Sequence, residues 1–514
     1  MPIRNSRRKF LGNMVAAGTL ATTLPKRPIK HRNSKPNLLF LWTDEQRADT
    51  ISVYGNNKIK TPNLAQLARE SIVFENAYVT QPVCTPSRSS VMTGLWPHQN
   101  GCTQNNVALD ETTPTFPELL DDDDYCTGYF GKWHLGDEIF PQHGFQEWQS
   151  IEDMYWRYYR ENRDIDKKSD YCAWLKELGY EPDTSRGDFS REFAAALPIQ
   201  HCKPKFLEQK ACDFLRRHQK EPFILYVNFL EPHMPFTGPL NEYHRPDEVY
   251  LPSNFDDPLE ENEPEAYRER AAKYTGMYSG KFDLSKESEW RRLIAQYWGL
   301  VSQVDISVGA ILTELERLGL ADNTIVVFTS DHGDMMGSHR LIEKSIMYQE
   351  ALRVPWMIRL PKPYSQHRRV KEHVSHIDLV PTLLELMNKP QRDDLPGKSL
   401  VPFLSGRRKM VEPVFVQWNA VKKLAEGRNP GGRLRDEANQ EKISSRAIIT
   451  QDGWKLCIHT GDKNQLFHLA KDPGETKNLF TQPEHEPRIR SLKKKIVQWQ
   501  EQVGDSLDLS IDET

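Results

Sequence analysis

Three short, continuous apolar runs constrain the fold more than any other feature of this 514-residue sequence. They are Asn37–Thr43 (NLLFLWT), Phe223–Phe229 (FILYVNF) and Thr324–Thr329 (TIVVFT). A run without polar alternation indicates a strand that is buried on both faces, as in a parallel sheet covered by helices. Helical periodicity precedes the second and third runs, at Phe206–His218 and Val304–Leu318. We therefore predict an α/β fold with a mostly parallel central sheet sandwiched by helices.

A change of pattern near Pro396–Gly406, where proline and glycine interrupt the chain, predicts a domain boundary. Beyond it, three runs are typical of short antiparallel strands and a helical pattern follows them: Val414–Trp418, Ser445–Thr450, Lys455–His459 and Glu486–Val503. Residues 37–405 are therefore predicted to form the main domain, and residues 410–514 a smaller C-terminal α+β subdomain with a short antiparallel sheet. The charged, proline-interrupted stretch Asn241–Trp290 is predicted to be a long surface insertion.

The overall charge and the cysteine pattern exclude several classes of protein. The 68 basic and 72 acidic residues give a formal net charge of −4, which excludes general electrostatic binding to nucleic acid or to an anionic membrane. No apolar run reaches the roughly 18 residues that a membrane-spanning helix needs. The seven cysteines include no Cys-x-x-Cys pair, so a zinc ribbon or a thioredoxin-type motif is not expected. What remains is a large soluble protein, most simply an enzyme.

The first 30 residues are typical of an export signal and not of a folded element. Ser6-Arg7-Arg8-Lys9-Phe10-Leu11 places two adjacent arginines before a short, weakly apolar stretch, as in twin-arginine signals. The alternative is a basic, frayed N-terminus. The signal predicts a bacterial protein that the twin-arginine machinery exports to the periplasm after folding, so a disulfide-dependent fold is not expected.

Charged clusters follow each of the three apolar runs. The clusters are Asp44-Glu45-Gln46-Arg47, Glu231-Pro232-His233 and Ser330-Asp331-His332-Gly333-Asp334. Because the carboxyl ends of parallel strands meet at one edge of a sheet, we expect these side chains to form a site. Acidic groups on stiff strand ends suit a hard divalent cation. The acidic run Asp121–Asp124 lacks the glycine and the ligand spacing of a calcium loop, and is predicted to be a solvated turn.

A motif between the first two runs carries the strongest signal. It reads Cys84-Thr85-Pro86-Ser87-Arg88, with Thr93-Gly94 following. This segment resembles the signature of the sulfatases, Cys-x-Pro-Ser-Arg followed by Thr-Gly. Further family elements follow in order: Gly131-Lys132-Trp133-His134-Leu135-Gly136, Pro232-His233, Asp331-His332-Gly333 and Lys344. The resemblance runs from about Asn37 to Pro402, with a weaker echo at Asp472–Glu475, and implies an alkaline-phosphatase-like fold and a sulfuric ester hydrolase.

The resemblance implies a specific nucleophile. A separate maturation enzyme would oxidise Cys84 to formylglycine, an aldehyde that hydrates to a geminal diol. One hydroxyl would attack sulfur, and the second would expel the sulfate by carbon–oxygen cleavage, which restores the aldehyde. The motif is predicted to begin a helix at the floor of the pocket, where the helix dipole favours an anion. The alternative is a buried structural Cys84 within a coincidental motif.

The family's metal positions also have counterparts here. They are Asp44, Glu45, Cys84, Asp331 and His332. Two of them depart from the family pattern: Glu45 stands where aspartate is usual, and His332 where many arylsulfatases have asparagine. Members that resemble choline sulfatases and phosphonate monoester hydrolases share the histidine. Ca²⁺ is the expected metal, with Mn²⁺ or another divalent ion open, because imidazole tolerates softer ions.

The remaining matched residues surround the nucleophile. Three basic side chains match positions that hold the diol and the sulfate oxygens: Arg88, Lys132 and Lys344. His134 matches the base that takes the proton of the second hydroxyl, and His233 matches the group that protonates the leaving alcohol. His233 would therefore also contact substrate, as would Asn105, although a turn-forming asparagine is an equal alternative. For Lys344 the alternative is a surface ion pair.

The expected substrate is a sulfated carbohydrate, because export and the absence of nucleic-acid or lipid features favour one met outside the cytoplasm. Met154–Arg160 and Gln417–Asn419 could offer aromatic and polar groups to a sugar, and core packing would explain them equally well. Two alternatives stay open. One is a phosphonate monoester or phosphodiester hydrolase on the same scaffold, favoured by His332, and the other is a non-catalytic sugar-binding relative with unconverted Cys84.

Overall fold

An eight-stranded sheet runs through the larger part of the chain, in the order β4-β3-β5-β1-β6-β7-β2-β8. The computed structural model describes residues 35–257, 259–362, 367–421 and 443–509, so the predicted export signal lies outside the described residues. The strands are β1 (Asn37–Asp44), β2 (Ile72–Tyr78), β3 (Cys126–Gly131), β4 (Glu147–Gln149), β5 (Phe223–Pro232), β6 (Thr324–Ser330), β7 (Arg353–Arg359) and β8 (Arg368–Ser375). β7 runs antiparallel to both of its neighbours, and the other described pairs are parallel.

The three apolar runs form the centre of this sheet, which confirms the predicted α/β fold. β1 lies between β5 and β6, and the side chains of all three runs are buried. The described α-helices are α1 (Pro62–Arg69), α2 (Cys84–Thr93), α3 (Pro97–Asn100), α4 (Phe116–Leu120), α5 (Asp170–Glu177), α6 (Arg191–Ala195), α7 (Lys203–Arg217), α8 (Glu265–Tyr278), α9 (Glu287–Arg317), α10 (Gln349–Leu352), α11 (Leu379–Leu386), α12 (Val401–Leu404) and α13 (Glu486–Val503). The two predicted helical patterns correspond to α7 and to the second half of α9.

The prediction of a surface insertion at Asn241–Trp290 is wrong. This stretch contains α8, and several of its apolar side chains are buried: Val249, Phe255, Tyr278, Phe282, Leu284 and Trp290. They pack against Phe236 and Tyr297 in one hydrophobic cluster. The prediction failed because these residues are widely spaced among charged ones, so the average composition conceals a buried face that only the tertiary structure assembles.

A second, antiparallel sheet follows in the order β12-β11-β10-β9. Its strands are β9 (Val414–Trp418), β10 (Ser445–Ile449), β11 (Trp454–His459) and β12 (Gln465–His468). α13 packs on one face through a row of apolar residues: Ile489, Leu492, Ile496 and Trp499. The predicted C-terminal antiparallel sheet is therefore confirmed. The described residues form one compact unit, and the boundary near residues 405–410 stays a prediction within it.

A buried ion pair ties the second sheet to a loop that precedes α10. The Lys455 ammonium lies 2.5 Å from the Glu475 carboxylate, and both side chains are fully buried. Lys455 also donates to the carbonyl of Met347, and Glu475 accepts the backbone N–H of Gln349 at 2.7 Å. Because a buried charge is costly without its partner, this pair holds the loop that also carries Lys344.

Three smaller observations bear on the sequence predictions. The acidic run Asp121–Asp124 is a turn whose carboxylates pair with Lys35, as predicted for a solvated turn. All seven cysteines are free thiols. Within the described ranges, every helix is too short or too polar to cross a bilayer.

Candidate active site

The charged clusters that follow the three central strands meet at one edge of the sheet. Asp44 is the last residue of β1, and Asp331 and His332 directly follow β6. His233 directly follows β5, on the other side of β1. The predicted convergence is confirmed, because adjacent parallel strands end side by side.

Cys84 is the first residue of α2 and is 1% exposed. The preceding residue, Val83, is extended, so the chain turns sharply into the helix at the thiol. The predicted helix start is therefore confirmed, and the N–H groups of the first turn face the same region as the sulfur. Asn105 accepts the backbone N–H of Thr85 at 3.0 Å, which stabilises this helix start. Its role in binding substrate stays a prediction.

Two basic and two acidic side chains form a buried network below the thiol. Arg88 donates to Asp44 and to Asp331, each at 2.8 Å. Lys132 donates to Asp44 at 2.5 Å, and its ammonium lies 3.8 Å from the Cys84 sulfur. Burial opposes ionisation of Asp44, but Lys132, His233 and Arg88 hold its pKa well below the usual range. Asp44 is therefore a fixed carboxylate.

Four donor groups surround a single point at the strand ends. Ligand atoms of Asp44, Cys84, Asp331 and His332 all lie within 4.8 Å of one another, and all four residues are buried. His332 Nε2 lies 3.2 Å from the Cys84 sulfur and 3.6 Å from Asp331 Oδ1. Its other ring nitrogen, Nδ1, contacts the carbonyl of Gly333 at 2.9 Å, which directs Nε2 toward the cluster. Burial opposes its protonation, but Asp331 and Cys84 raise the pKa of His332 to about 9.

Glu45 belongs to a neighbouring group that shares Asp44. Its backbone has a positive φ of 68°, which turns the side chain away from the strand. Glu45 Oε2 accepts from Lys344 at 2.6 Å and lies 3.5 Å from His233 Nε2. Burial raises the pKa of Glu45 well above its usual range, although Lys344 opposes this shift.

The donor set fits a divalent cation. It offers carboxylate oxygens and one imidazole nitrogen, which bind hard or borderline ions. Glu45 Oε1 is buried and receives no hydrogen bond from any residue in the described part of the chain, so it is available as a ligand. Asp44, Glu45, Asp331 and His332 would hold the ion beside Cys84.

His233 and Lys344 form the wall on the β5 side. Lys344 donates to His233 Nε2 at 3.1 Å, and His233 Nδ1 contacts the carbonyl of Met234 at 2.9 Å. Burial lowers the pKa of His233 well below its usual range, and the positive charge of Lys344 lowers it further. Lys344 is 7% exposed, so the alternative of a surface ion pair does not hold.

His134 is fixed by contacts that the sequence did not reveal. The buried carboxylate of Glu138 accepts the backbone N–H of Trp133 at 2.8 Å and that of His134 at 2.6 Å. These bonds hold His134 in a left-handed backbone conformation with φ of 59°. Its Nε2 contacts Asn106 at 2.9 Å, and its Nδ1 is buried without a partner among the described residues. In the sequence, the only signal for Glu138 was that an acidic residue follows soon after a matched motif.

The aromatic segment Met154–Arg160 reaches the site through one residue. The ring of Tyr155 stacks on His134, with ring centroids 4.2 Å apart, and its hydroxyl contacts Arg191 at 3.1 Å. Arg191 lines both the recess beside His233 and an adjacent cavity of about 390 Å³. In the second segment singled out from the sequence, Trp418 is buried in a hydrophobic cluster and Gln417 contacts His98. Core packing therefore explains that second segment.

The arrangement combines fixed positive charge with two neutral imidazoles. Lys132 lies 3.8 Å from the Cys84 sulfur, and Lys344 contacts Glu45 and His233. Burial lowers the pKa of both His134 and His233, so each is available to accept or pass on a proton near neutral pH. Such a site can bind a tetrahedral anion and catalyse transfer at its central atom.

Comparison with known proteins agrees with this geometry. A family model described as Sulfatase matches residues 36–389. The uncharacterized sulfatase YidJ of Escherichia coli (strain K12) is 30% identical, over 87% of this chain and 83% of the relative. The N-acetylglucosamine-6-O-sulfatase of Bacteroides thetaiotaomicron is 28% identical, over 93% of this chain and 88% of the relative. The solved complex of BT4656 with D-glucosamine-2-N,6-O-disulfate has a TM-score of 0.72 at 24% identity, and covers 93% of this chain and 100% of that one.

Proposed function

Because the chain belongs to the sulfatase family, we propose that it removes sulfate from a sulfated carbohydrate through a formylglycine formed at Cys84. The protein is a sulfatase, an enzyme that hydrolyses sulfate esters. The observation that carries the proposal is the position of Cys84 at the start of α2, between Lys132 and His332. A separate formylglycine-generating enzyme would supply the aldehyde, whose hydrate provides an attacking and a departing hydroxyl.

The charged residues of this chain bind and orient the sulfate. Lys132 and Lys344 offer ammonium groups to its oxygens, and each contacts a buried carboxyl group, of Asp44 and of Glu45 respectively. Arg88 is fully enclosed by Asp44, Asp331 and Asn228, so it holds the carboxylates in place. Fixed charges of this kind stabilise negative charge that develops in a transition state without reorganising.

The two histidines handle protons on opposite sides of the reacting group. His134 Nδ1 has no partner among the described residues and is available to take the proton of the departing hydroxyl. His233 Nε2 receives a hydrogen bond from Lys344, so it would take a proton from that ammonium group and deliver it to the leaving alcohol. Each role rests on the resemblance of the surrounding motif and on an imidazole that is neutral at rest.

A divalent metal completes the proposal. Asp44, Glu45, Asp331 and His332, together with the converted Cys84 side chain, would hold Ca²⁺ or another divalent ion such as Mn²⁺. Such an ion would supply Lewis acidity toward the nucleophile and the sulfate. Three of these side chains also form hydrogen bonds to Arg88, Lys132 or Lys344, so their positions do not depend on the ion alone.

Sulfated sugars are the proposed substrates. One relative is named as an N-acetylglucosamine-6-O-sulfatase, and this name indicates a sulfated sugar as its substrate. The predicted export signal would bring the present enzyme to the periplasm. The cavity of about 390 Å³ beside Arg191 is also lined by Met234, the residue after His233, and offers room for the sugar that leaves. Asn105, which accepts a backbone N–H at the start of α2, is proposed as a further substrate contact.

The proposal is tested by comparing three substrates with one enzyme preparation. Sulfated monosaccharides, a phosphonate monoester and a phosphate diester of one phenol are assayed after production with the maturation enzyme. We expect the highest kcat/KM on a sulfated sugar. Higher turnover of the phosphonate monoester would favour the alternative that His332 suggests, and no turnover by converted protein would leave a sugar-binding role.

A further inference from the structure

A second group of metal-ligating side chains lies near the N-terminal ends of β3 and β5, whereas the site around Cys84 lies at the carboxyl ends of the central strands. It consists of Cys126, His218 and Glu221, whose donor atoms all lie within 4.8 Å of one another. Cys126 is the first residue of β3, His218 ends α7, and Glu221 lies in the turn before β5. From this geometry we propose that these three side chains bind Zn²⁺ or a similar borderline transition-metal ion. The site is independent of the proposed function.

The contacts within the group have the dimensions of a metal site. Glu221 Oε2 lies 3.1 Å from the Cys126 sulfur and 3.1 Å from His218 Nδ1. Tetrahedral zinc with sulfur, nitrogen and oxygen ligands separates its donor atoms by about 3.3–3.6 Å. The two separations from Glu221 are therefore within a few tenths of an ångström of those in a zinc site, and the third, between Cys126 and His218, is at most 4.8 Å.

The second nitrogen of His218 is held as metal-bound histidines usually are. Nε2 contacts the Glu147 carboxylate at 2.7 Å, which leaves Nδ1 directed at Cys126 and Glu221. Arg217 fixes Glu147 in turn, with two hydrogen bonds of 2.7 and 2.6 Å. A carboxylate behind the imidazole fixes the ring and increases its strength as a ligand.

The backbone holds the ligands before any ion arrives. The N–H of Cys126 donates to the carbonyl of Pro222 at 3.0 Å, and the N–H of Glu221 donates to the carbonyl of His218 at 3.2 Å. The His218 ring packs on Phe214, with ring centroids 4.5 Å apart. Two segments that are distant in sequence, at Cys126 and at His218 to Glu221, are thus already joined, so the binding energy is not spent on ordering them.

The donor set selects the class of ion. A thiolate and an imidazole favour Zn²⁺ and similar ions over Ca²⁺ or Mg²⁺, which prefer oxygen ligands. Glu221 is exposed, so water can complete a fourth position. Cys126 is also the only one of the seven cysteines that is not buried, and can be reached by an ion from solution.

Cobalt provides the direct test, because a cysteine thiolate bound to Co²⁺ gives a charge-transfer band in the near ultraviolet. Full-length protein is titrated with Co²⁺ in excess Ca²⁺, and Zn²⁺ is then used to displace the cobalt. We expect one equivalent of Co²⁺ and the band in wild type and in Cys84→Ser, and loss of both in Cys126→Ser and His218→Gln. Cys212→Ser, which removes a buried thiol of α7, serves as the matched control and keeps the band.

A second measurement distinguishes a specific metal site from an incidental contact among the three side chains. Glu147→Gln removes only the carboxylate behind His218 and should weaken Zn²⁺ binding by about 10–100-fold. Thermal unfolding in Zn²⁺ should show a higher midpoint for wild type and no shift for Cys126→Ser. A wild-type protein without the cobalt band, or a band that survives in Cys126→Ser, would overturn the proposal.

Discussion

Removing His233 should affect substrates according to how poor their leaving group is. In the proposed mechanism its Nε2 passes a proton to the departing oxygen, which a sugar alkoxide requires and a nitrophenolate scarcely needs. General acid catalysis contributes about 10²–10⁴-fold, so His233→Ala should lower kcat/KM on a sulfated sugar by that factor. This loss corresponds to about 2.7–5.5 kcal/mol of transition-state stabilisation. On nitrophenyl sulfate we expect a loss below about tenfold.

The structure limits the side effects of this substitution. Lys344 loses its contact to His233 at 3.1 Å but keeps its ion pair with Glu45 at 2.6 Å, so the ammonium stays near the sulfate. His244→Ala is a matched control, because His244 is also buried but contacts Ser302, away from the site. Steady-state kinetics on the two substrates provide the readout. Equal losses on both would place His233 in sulfate binding and would refute its role as the acid.

Three further predictions follow from the described contacts. Burial raises the pKa of Glu138 to about 7, so protonation below that pH should loosen the His134 backbone and lower kcat. Glu138→Gln should lose about 10–100-fold in kcat and flatten this acid limb in a pH profile, and an unchanged profile would contradict the assignment. Lys455→Met should cost about 3–5 kcal/mol in denaturant unfolding by leaving Glu475 buried and unpaired; a cost below about 1 kcal/mol would show the pair to be dispensable. Chelation should abolish turnover and Ca²⁺ or Mn²⁺ should restore it, whereas full activity in excess chelator would exclude the metal.

The sequence alone was sufficient to predict features that are local or that lie at the ends of strands. The apolar runs predicted β1, β5 and β6, and their order in the sheet brought Asp44, His233 and Asp331 to one edge. The start of α2 at Cys84 was expected from the resemblance of the Cys84 motif to the sulfatase signature. These predictions succeeded because each depended on a single segment and on one rule of sheet geometry.

The remaining features depend on contacts between distant segments. Glu138, Tyr155 and Arg191 act on the site through tertiary contacts that no periodicity reveals. The stretch Asn241–Trp290 was mistaken for a surface insertion because its buried face is assembled from widely spaced residues. The Cys126 group likewise joins residues about 90 positions apart, which no short ligand motif would have revealed.

The most direct test of the central claim is the mass of the peptide that contains Cys84, measured on the preparations used for kinetics. Protein made with the formylglycine-generating enzyme should carry the aldehyde, and turnover of a sulfated sugar should rise in proportion to the converted fraction. Cys84→Ala should be folded and inactive. Turnover by protein whose Cys84 is entirely an unmodified thiol would contradict the account.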